Sequence, residues 1–231
     1  MLYWLYELTG GEGPMNLFRY ISFRAGGAFF TALIFAFLFG RPLIEYLRRV
    51  QKKGQPIRDD GPEGHFVKAG TPTMGGILIL SALLVGTLLW ARLSNGYVWI
   101  VLMVTYGYAA IGFADDYAKV SKHNTKGVSG KVRMALGFTL AFIAAAWTMY
   151  LHPESLTGKL AFPFFKDALL NLSILFIPFA MVVIVGAANA VNLTDGLDGL
   201  AIMPVMIAAA TFGIIAYAVG HANFADYLGV H

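Results

Sequence analysis

Six stretches of this chain run for 16 to 27 residues without a charged side chain: 25–40, 69–91, 93–114, 134–153, 168–194 and 199–225. Nothing else in the sequence narrows the fold as much. A helix needs about 20 apolar residues to cross a hydrocarbon layer about 30 Å thick, and five of the runs meet that length. The first is shorter, but Arg24 and Arg41 at its ends can snorkel to the two surfaces, and Pro42, Leu43 and Ile44 continue its apolar pattern. The reading is an all-α, polytopic bundle of about six transmembrane helices, over about 25–44, 73–91, 97–114, 134–151, 170–190 and 200–219, forming one domain across 1–231. Helices suit hydrocarbon because each satisfies its own backbone. At 58% hydrophobic and 13% charged, the chain has about half the charge of a soluble domain, and it is too apolar for a disordered one. Residues 1–23 are apolar but broken by Glu7 and lack a basic leader region, so they are expected to lie at the interface and not to act as a signal peptide.

The basic residues orient the bundle. Arg41, Arg48, Arg49, Lys52, Lys53, Arg58 and Lys68 fall between the first two spans, and Lys119, Lys122, Lys126, Lys131 and Arg133 between the third and fourth. Those twelve oppose five on the other side: Arg19, Arg24, Arg92, Lys159 and Lys166. The positive-inside rule then puts 41–70 and 115–133 in the cytoplasm and both termini outside. Net charge +4 could have suggested nucleic acid, but the basic residues form membrane-edge clusters, so no nucleic-acid partner is expected. With no cysteine, the chain has no disulfide, thiolate nucleophile or Cys-bound metal.

Four of the 13 acids gather at the cytoplasmic face. Asp115 and Asp116 are placed at the end of the third span. Asp195 and Asp198 lie in Asn-Ala-Val-Asn-Leu-Thr-Asp-Gly-Leu-Asp-Gly at 189–199. A helix C-terminus disfavours an acidic pair, so a divalent cation, or Lys119 from the next turn, should compensate Asp115 and Asp116. Mg²⁺ is the natural cation, being held by one or two carboxylates with phosphate oxygens and water. The five His have no metal-ligand spacing, which argues against zinc. Asn189, Asn192, Asp195 and Asp198 recur every three residues; helix is expected to about Asn192 and a turn through 195–199. A solvated helix end and an Asx-rich turn are the plain alternatives. A third element, Lys-Ala-Gly-Thr-Pro-Thr-Met-Gly-Gly at 68–76, brings Lys68, Thr71 and Thr73 to the same face. It is not a Walker A loop. Acids and bases at one membrane face suggest a divalent cation with an anionic substrate, most simply a phosphate ester.

The stretches 68–76, 113–117 (Phe-Ala-Asp-Asp-Tyr) and 189–201, with Arg-Asp-Asp-Gly-Pro-Glu-Gly-His at 58–65, closely resemble the phospho-N-acetylmuramoyl-pentapeptide transferases, within the polyprenyl-phosphate N-acetylhexosamine-1-phosphate transferases. That resemblance implies an Mg²⁺-dependent phosphoglycosyl transferase of peptidoglycan synthesis. It would move phospho-N-acetylmuramoyl-pentapeptide from its UDP carrier to undecaprenyl phosphate, giving lipid I and UMP. It implies Asp115 and Asp116 as catalytic or metal-linked carboxylates, with Asp116 on the lipid phosphate. Lys68, Thr73, Asn189, Asn192, Asp195 and Asp198 become substrate-pocket residues, and Lys119 and Lys131 phosphate contacts. Arg133 stands where the family pattern has a second loop lysine. A homodimer is one assembly the resemblance allows. Family members are longer, with a further cytoplasmic Asp and a His-rich loop, so the chain reads as their first six spans, expected to insert but to be inactive alone. A sibling transferase using another nucleotide sugar is the nearest alternative. A cation-coupled transporter would hold its acids nearer the midplane, and a membrane scaffold needs no acid cluster.

Overall fold

The computed structural model describes residues 1–51, 72–122, 127–162, 165–195 and 200–228. Helix α1 (Tyr3–Leu8) and a 3₁₀ turn (Gly13–Arg19) precede α2 (Ile21–Gln51); α3 (Gly76–Trp90), α4 (Gly96–Lys122) and α5 (Gly130–Leu151) follow. A two-stranded antiparallel hairpin, β1 (Lys159–Phe162) and β2 (Phe165–Asn171), leads through a 3₁₀ turn (Ser173–Leu175) into α6 (Phe176–Thr194), α7 (Ile202–Gly220) and α8 (Ala222–Leu228). The described residues form a polytopic helical membrane protein, with five helices long and apolar enough to cross a bilayer.

The departures from the expected spans have local causes. The second expected span, 73–91, is the 15-residue α3, about 22 Å long. In the described part of its uncharged run, residues 72–74 have no regular structure and Met74 is left-handed (φ 70°); lack of charge does not by itself make a helix. The first span is longer than 25–44: α2 continues to Gln51 through Pro42. In the fifth run, 168–194, the first residues belong to the hairpin, so the helix starts at Phe176. The fourth and sixth spans stand close to their expected positions.

The largest correction concerns α4. Asp115 and Asp116 do not end this helix, which runs on to Lys122. The segment Asp-Asp-Tyr-Ala-Lys-Val-Ser-Lys contains no Gly or Pro to stop it, Asp115 pairs with Lys119 one turn later, and lysines suit the C-terminal dipole.

The chain divides into two compact units, Met1–Leu140 and Ala141–His231. In the first, α2 and α3 pack most extensively. Gly86 permits the contact: a Cβ there would stand 3.0 Å from the Ala28 carbonyl oxygen, the close backbone approach that joins helices in lipid. Trp90 Nε1 donates to Thr31 Oγ1 across the same pair (2.9 Å). The Tyr106 hydroxyl of α4 donates to the Leu80 carbonyl of α3, and Tyr108 to the Gly137 carbonyl of α5 (3.2 Å). In the second unit, α6 buries Val185, while α7 buries none of its residues.

Candidate active site

The two adjacent carboxylates of α4 have different surroundings. The Asp115 side chain is 8% exposed, and that of Asp116 is 33% exposed. Asp115 Oδ2 lies 2.6 Å from Lys119 Nζ and 3.5 Å from Arg133 Nη1 of α5. Asp115 Oδ1 accepts the Val128 backbone N–H at 2.8 Å. Both oxygens are thereby engaged, and the Asp115 carboxylate fastens the 127–129 turn and the start of α5 onto α4. Gly127 makes this possible. Its φ is +57°, and a Cβ there would collide with the Asp115 carboxylate.

Asp116 is more open. Its Oδ2 accepts from the Thr73 hydroxyl at 3.1 Å, and its Oδ1 stands 3.9 Å from Lys119 Nζ. Thr73 is itself held by the buried Gln51 at the end of α2: Gln51 Oε1 accepts the Thr73 N–H (2.9 Å), and Gln51 Nε2 donates to the Thr73 carbonyl (3.1 Å). Three segments, 51, 73 and 115–119, thus meet at one end of the α2–α3–α4 group. Phe113 and Tyr117, one turn apart and exposed, stack nearly parallel on the same helix, centroids 6.2 Å apart.

The expected compensation of the acidic pair is therefore met, for Asp115, by Lys119. Among the described residues no group of three or more His, Asp or Glu converges on one point. The donor set does fit Mg²⁺ held by one carboxylate and completed by phosphate oxygens and water. Asp116 can fill that role; Asp115 carries an ammonium and a backbone N–H where a metal would bind.

Of the other expected residues, Lys131 is exposed near the start of α5. Asn189, Asn192 and Asp195 belong to the second unit. The first two lie on α6, where Asn189 Nδ2 donates to the Val185 carbonyl (2.8 Å), and Asp195 is the first residue beyond its end. Lys68, Thr71, Asp198 and the 58–65 stretch lie outside the described residues. Gln51, Gly127 and Val128 were not anticipated. A glutamine in a basic run and a backbone N–H carry no sequence signal, and only the glycine offers a faint one.

Residues 98–230 match the family model of glycosyl transferase family 4. The chain belongs to this family. Within it, residues 68–80, which include Thr73, match signature 1 of the phospho-N-acetylmuramoyl-pentapeptide-transferases. Among the similar curated relatives, two that bear that enzyme's name illustrate the match. The one from Ruegeria pomeroyi is 71% identical over 231 residues, and the one from Dinoroseobacter shibae is 67% identical over 232; each comparison covers 100% of this chain and 64% of the relative. The chain thus spans about two thirds of the length of the curated relatives it matches, somewhat under that fraction.

Proposed function

We propose that this chain carries the Asp116 side of the active site of a phosphoglycosyl transferase that makes lipid I. In this reading it transfers phospho-N-acetylmuramoyl-pentapeptide from UDP-N-acetylmuramoyl-pentapeptide to undecaprenyl phosphate, releasing UMP, at the cytoplasmic face of a bacterial inner membrane. The observation that carries the reading is the open Asp116 carboxylate, braced by the Thr73 hydroxyl beside Lys119. A phosphate monoester is largely ionised near pH 7, so its oxygen can attack the sugar-bearing phosphorus without a strong base while the bond to the UMP oxygen breaks. What the site must supply is position and charge compensation. Asp116 orients the acceptor phosphate from its open side, and Thr73 fixes the Asp116 carboxylate. Lys119, drawn between two carboxylates, keeps N–H donors at the diphosphate. Mg²⁺ held at Asp116 would supply the further positive charge that a diphosphate needs. Lys68, Lys131, Asn189, Asn192, Asp195 and Asp198 are assigned to the nucleotide and diphosphate pocket, and a homodimer to the assembly.

The test is a chimaera in which residues 1–231 replace the matching stretch of the Ruegeria pomeroyi relative. With undecaprenyl phosphate and Mg²⁺ it should release UMP from UDP-N-acetylmuramoyl-pentapeptide. Release from UDP-N-acetylglucosamine instead would assign a sibling transferase, and release from neither would refute the reading. Orientation has its own test, made clean by the absence of native cysteine. Lys52→Cys, Lys122→Cys and Thr194→Cys should be labelled only from the cytoplasm, and Ser94→Cys and Glu154→Cys only from outside. External labelling at position 122 would overturn the cytoplasmic site.

A further inference from the structure

The opposite end of α2 and α3 holds two guanidinium groups that none of the roles above uses. Arg24, at the start of α2, and Arg92, just past α3, both stand over the ring of Tyr3, their central carbons 4.9 and 5.2 Å from its centroid. The Leu2 backbone N–H donates to the Leu89 carbonyl (2.8 Å), which ties α1 to the end of α3 and keeps the ring in place. Arg24 Nη1 donates to the Trp90 carbonyl (3.4 Å), but its Nε is buried without an acceptor; Arg92 Nε donates to Ser94 Oγ (3.0 Å). Among the described residues no carboxylate forms an ion pair with either arginine. Two like charges therefore share one aromatic ring with no counter-charge from these residues, an arrangement that favours capture of an anion.

The depth of the pair selects the anion. From Arg24 to Gln51, α2 rises about 40 Å, close to the thickness of a bilayer with its headgroup layers. With Gln51 beside the candidate active site, Arg24 and Arg92 fall at headgroup level in the other leaflet. An aromatic belt marks the same level: Phe18, Phe23 and Trp90 pack together with centroids 5.5 to 5.8 Å apart, and Trp4 and Tyr20 are exposed. A guanidinium matches phosphate oxygens through paired N–H donors. We infer that Arg24, Arg92 and Tyr3 form a binding site for the phosphodiester headgroup of an anionic phospholipid, in the leaflet opposite the candidate active site.

The purified chain in neutral detergent, titrated with dihexanoyl phosphatidylglycerol, dihexanoyl phosphatidylcholine or inorganic phosphate and followed by native mass spectrometry, tests this. Arg24→Gln/Arg92→Gln should weaken phosphatidylglycerol binding about tenfold, and Arg48→Gln/Arg49→Gln, at the other end of α2, should leave that step in place. Phosphatidylcholine should bind at least threefold more weakly than phosphatidylglycerol. Equal phosphatidylglycerol affinity in wild type and the double variant would overturn the site. Arg92→Gln alone, at an exposed turn, asks the same question if the double variant does not fold: a fall in affinity supports the site, and wild-type affinity overturns it. Inorganic phosphate displacing the lipid at equal concentration would overturn the lipid assignment in favour of a free anion.

Discussion

Asp116→Asn should lower UMP release by the chimaera by two or more orders of magnitude, with membrane insertion unchanged. The substitution preserves volume and can still accept the Thr73 hydroxyl hydrogen bond, so the brace survives and only the charge is lost. A hundredfold loss corresponds to about 3 kcal/mol of transition-state stabilisation, the scale of removing one preorganised electrostatic group. Thr73→Val should cost less, because it removes the brace and leaves the carboxylate. Turnover within threefold of wild type for Asp116→Asn would remove Asp116 from the reaction.

The second large effect falls on stability. Asp115→Ala should destabilise the chain by about 3 kcal/mol, because removing one partner of a buried pair leaves the other charge uncompensated. Here Lys119, 20% exposed, and Arg133 would both lose the carboxylate they share, and Lys119 would keep only the looser 3.9 Å approach of Asp116. Gly127→Ala should act on the same clamp from its other side. The left-handed backbone alone costs about 1–2 kcal/mol for an L-residue, and the added methyl meets the Asp115 carboxylate. Both losses would appear in denaturant unfolding in detergent, with faster proteolysis of the 127–129 turn. Asp116→Asn should leave that stability within about 1 kcal/mol, since its carboxylate is more open and its pairing looser. Equal stability of Asp115→Ala and wild type would show that the turn is held by other contacts.

The contrast between these neighbours marks where sequence reasoning stops. Transmembrane helices were legible because long uncharged runs depend on composition, and hydrocarbon leaves the backbone few alternatives. Their ends were not. Charge was read as a boundary, yet α4 carries Asp115, Asp116 and Lys119 inside its helix because an i,i+4 pair satisfies the charge there. The hairpin in 159–171 was missed for the converse reason: its strands straddle the start of an uncharged run that reads equally well as span. Within the site, Asp115, Asp116, Thr73 and Lys119 were legible by residue type and position. Their different surroundings were not, because these rest on Gln51 reaching Thr73 and on a backbone N–H at Val128, pairings between distant segments that leave no local pattern.

The seclusion of the Asp115–Lys119 contact has a practical side. Arg41 and Glu45, with side chains 89% and 57% exposed, form the sort of pair that electrolyte dissolves; at about 1 M salt the Debye length shrinks to about 3 Å. The 2.6 Å Asp115–Lys119 contact is largely shut off from mobile ions. Electrolyte can therefore weaken long-range attraction of the polyanionic nucleotide proposed as substrate while leaving the clamp intact. In the chimaera a plot of rate against ionic strength would report how the proposed substrate arrives, separately from the rigidity of the framework that receives it.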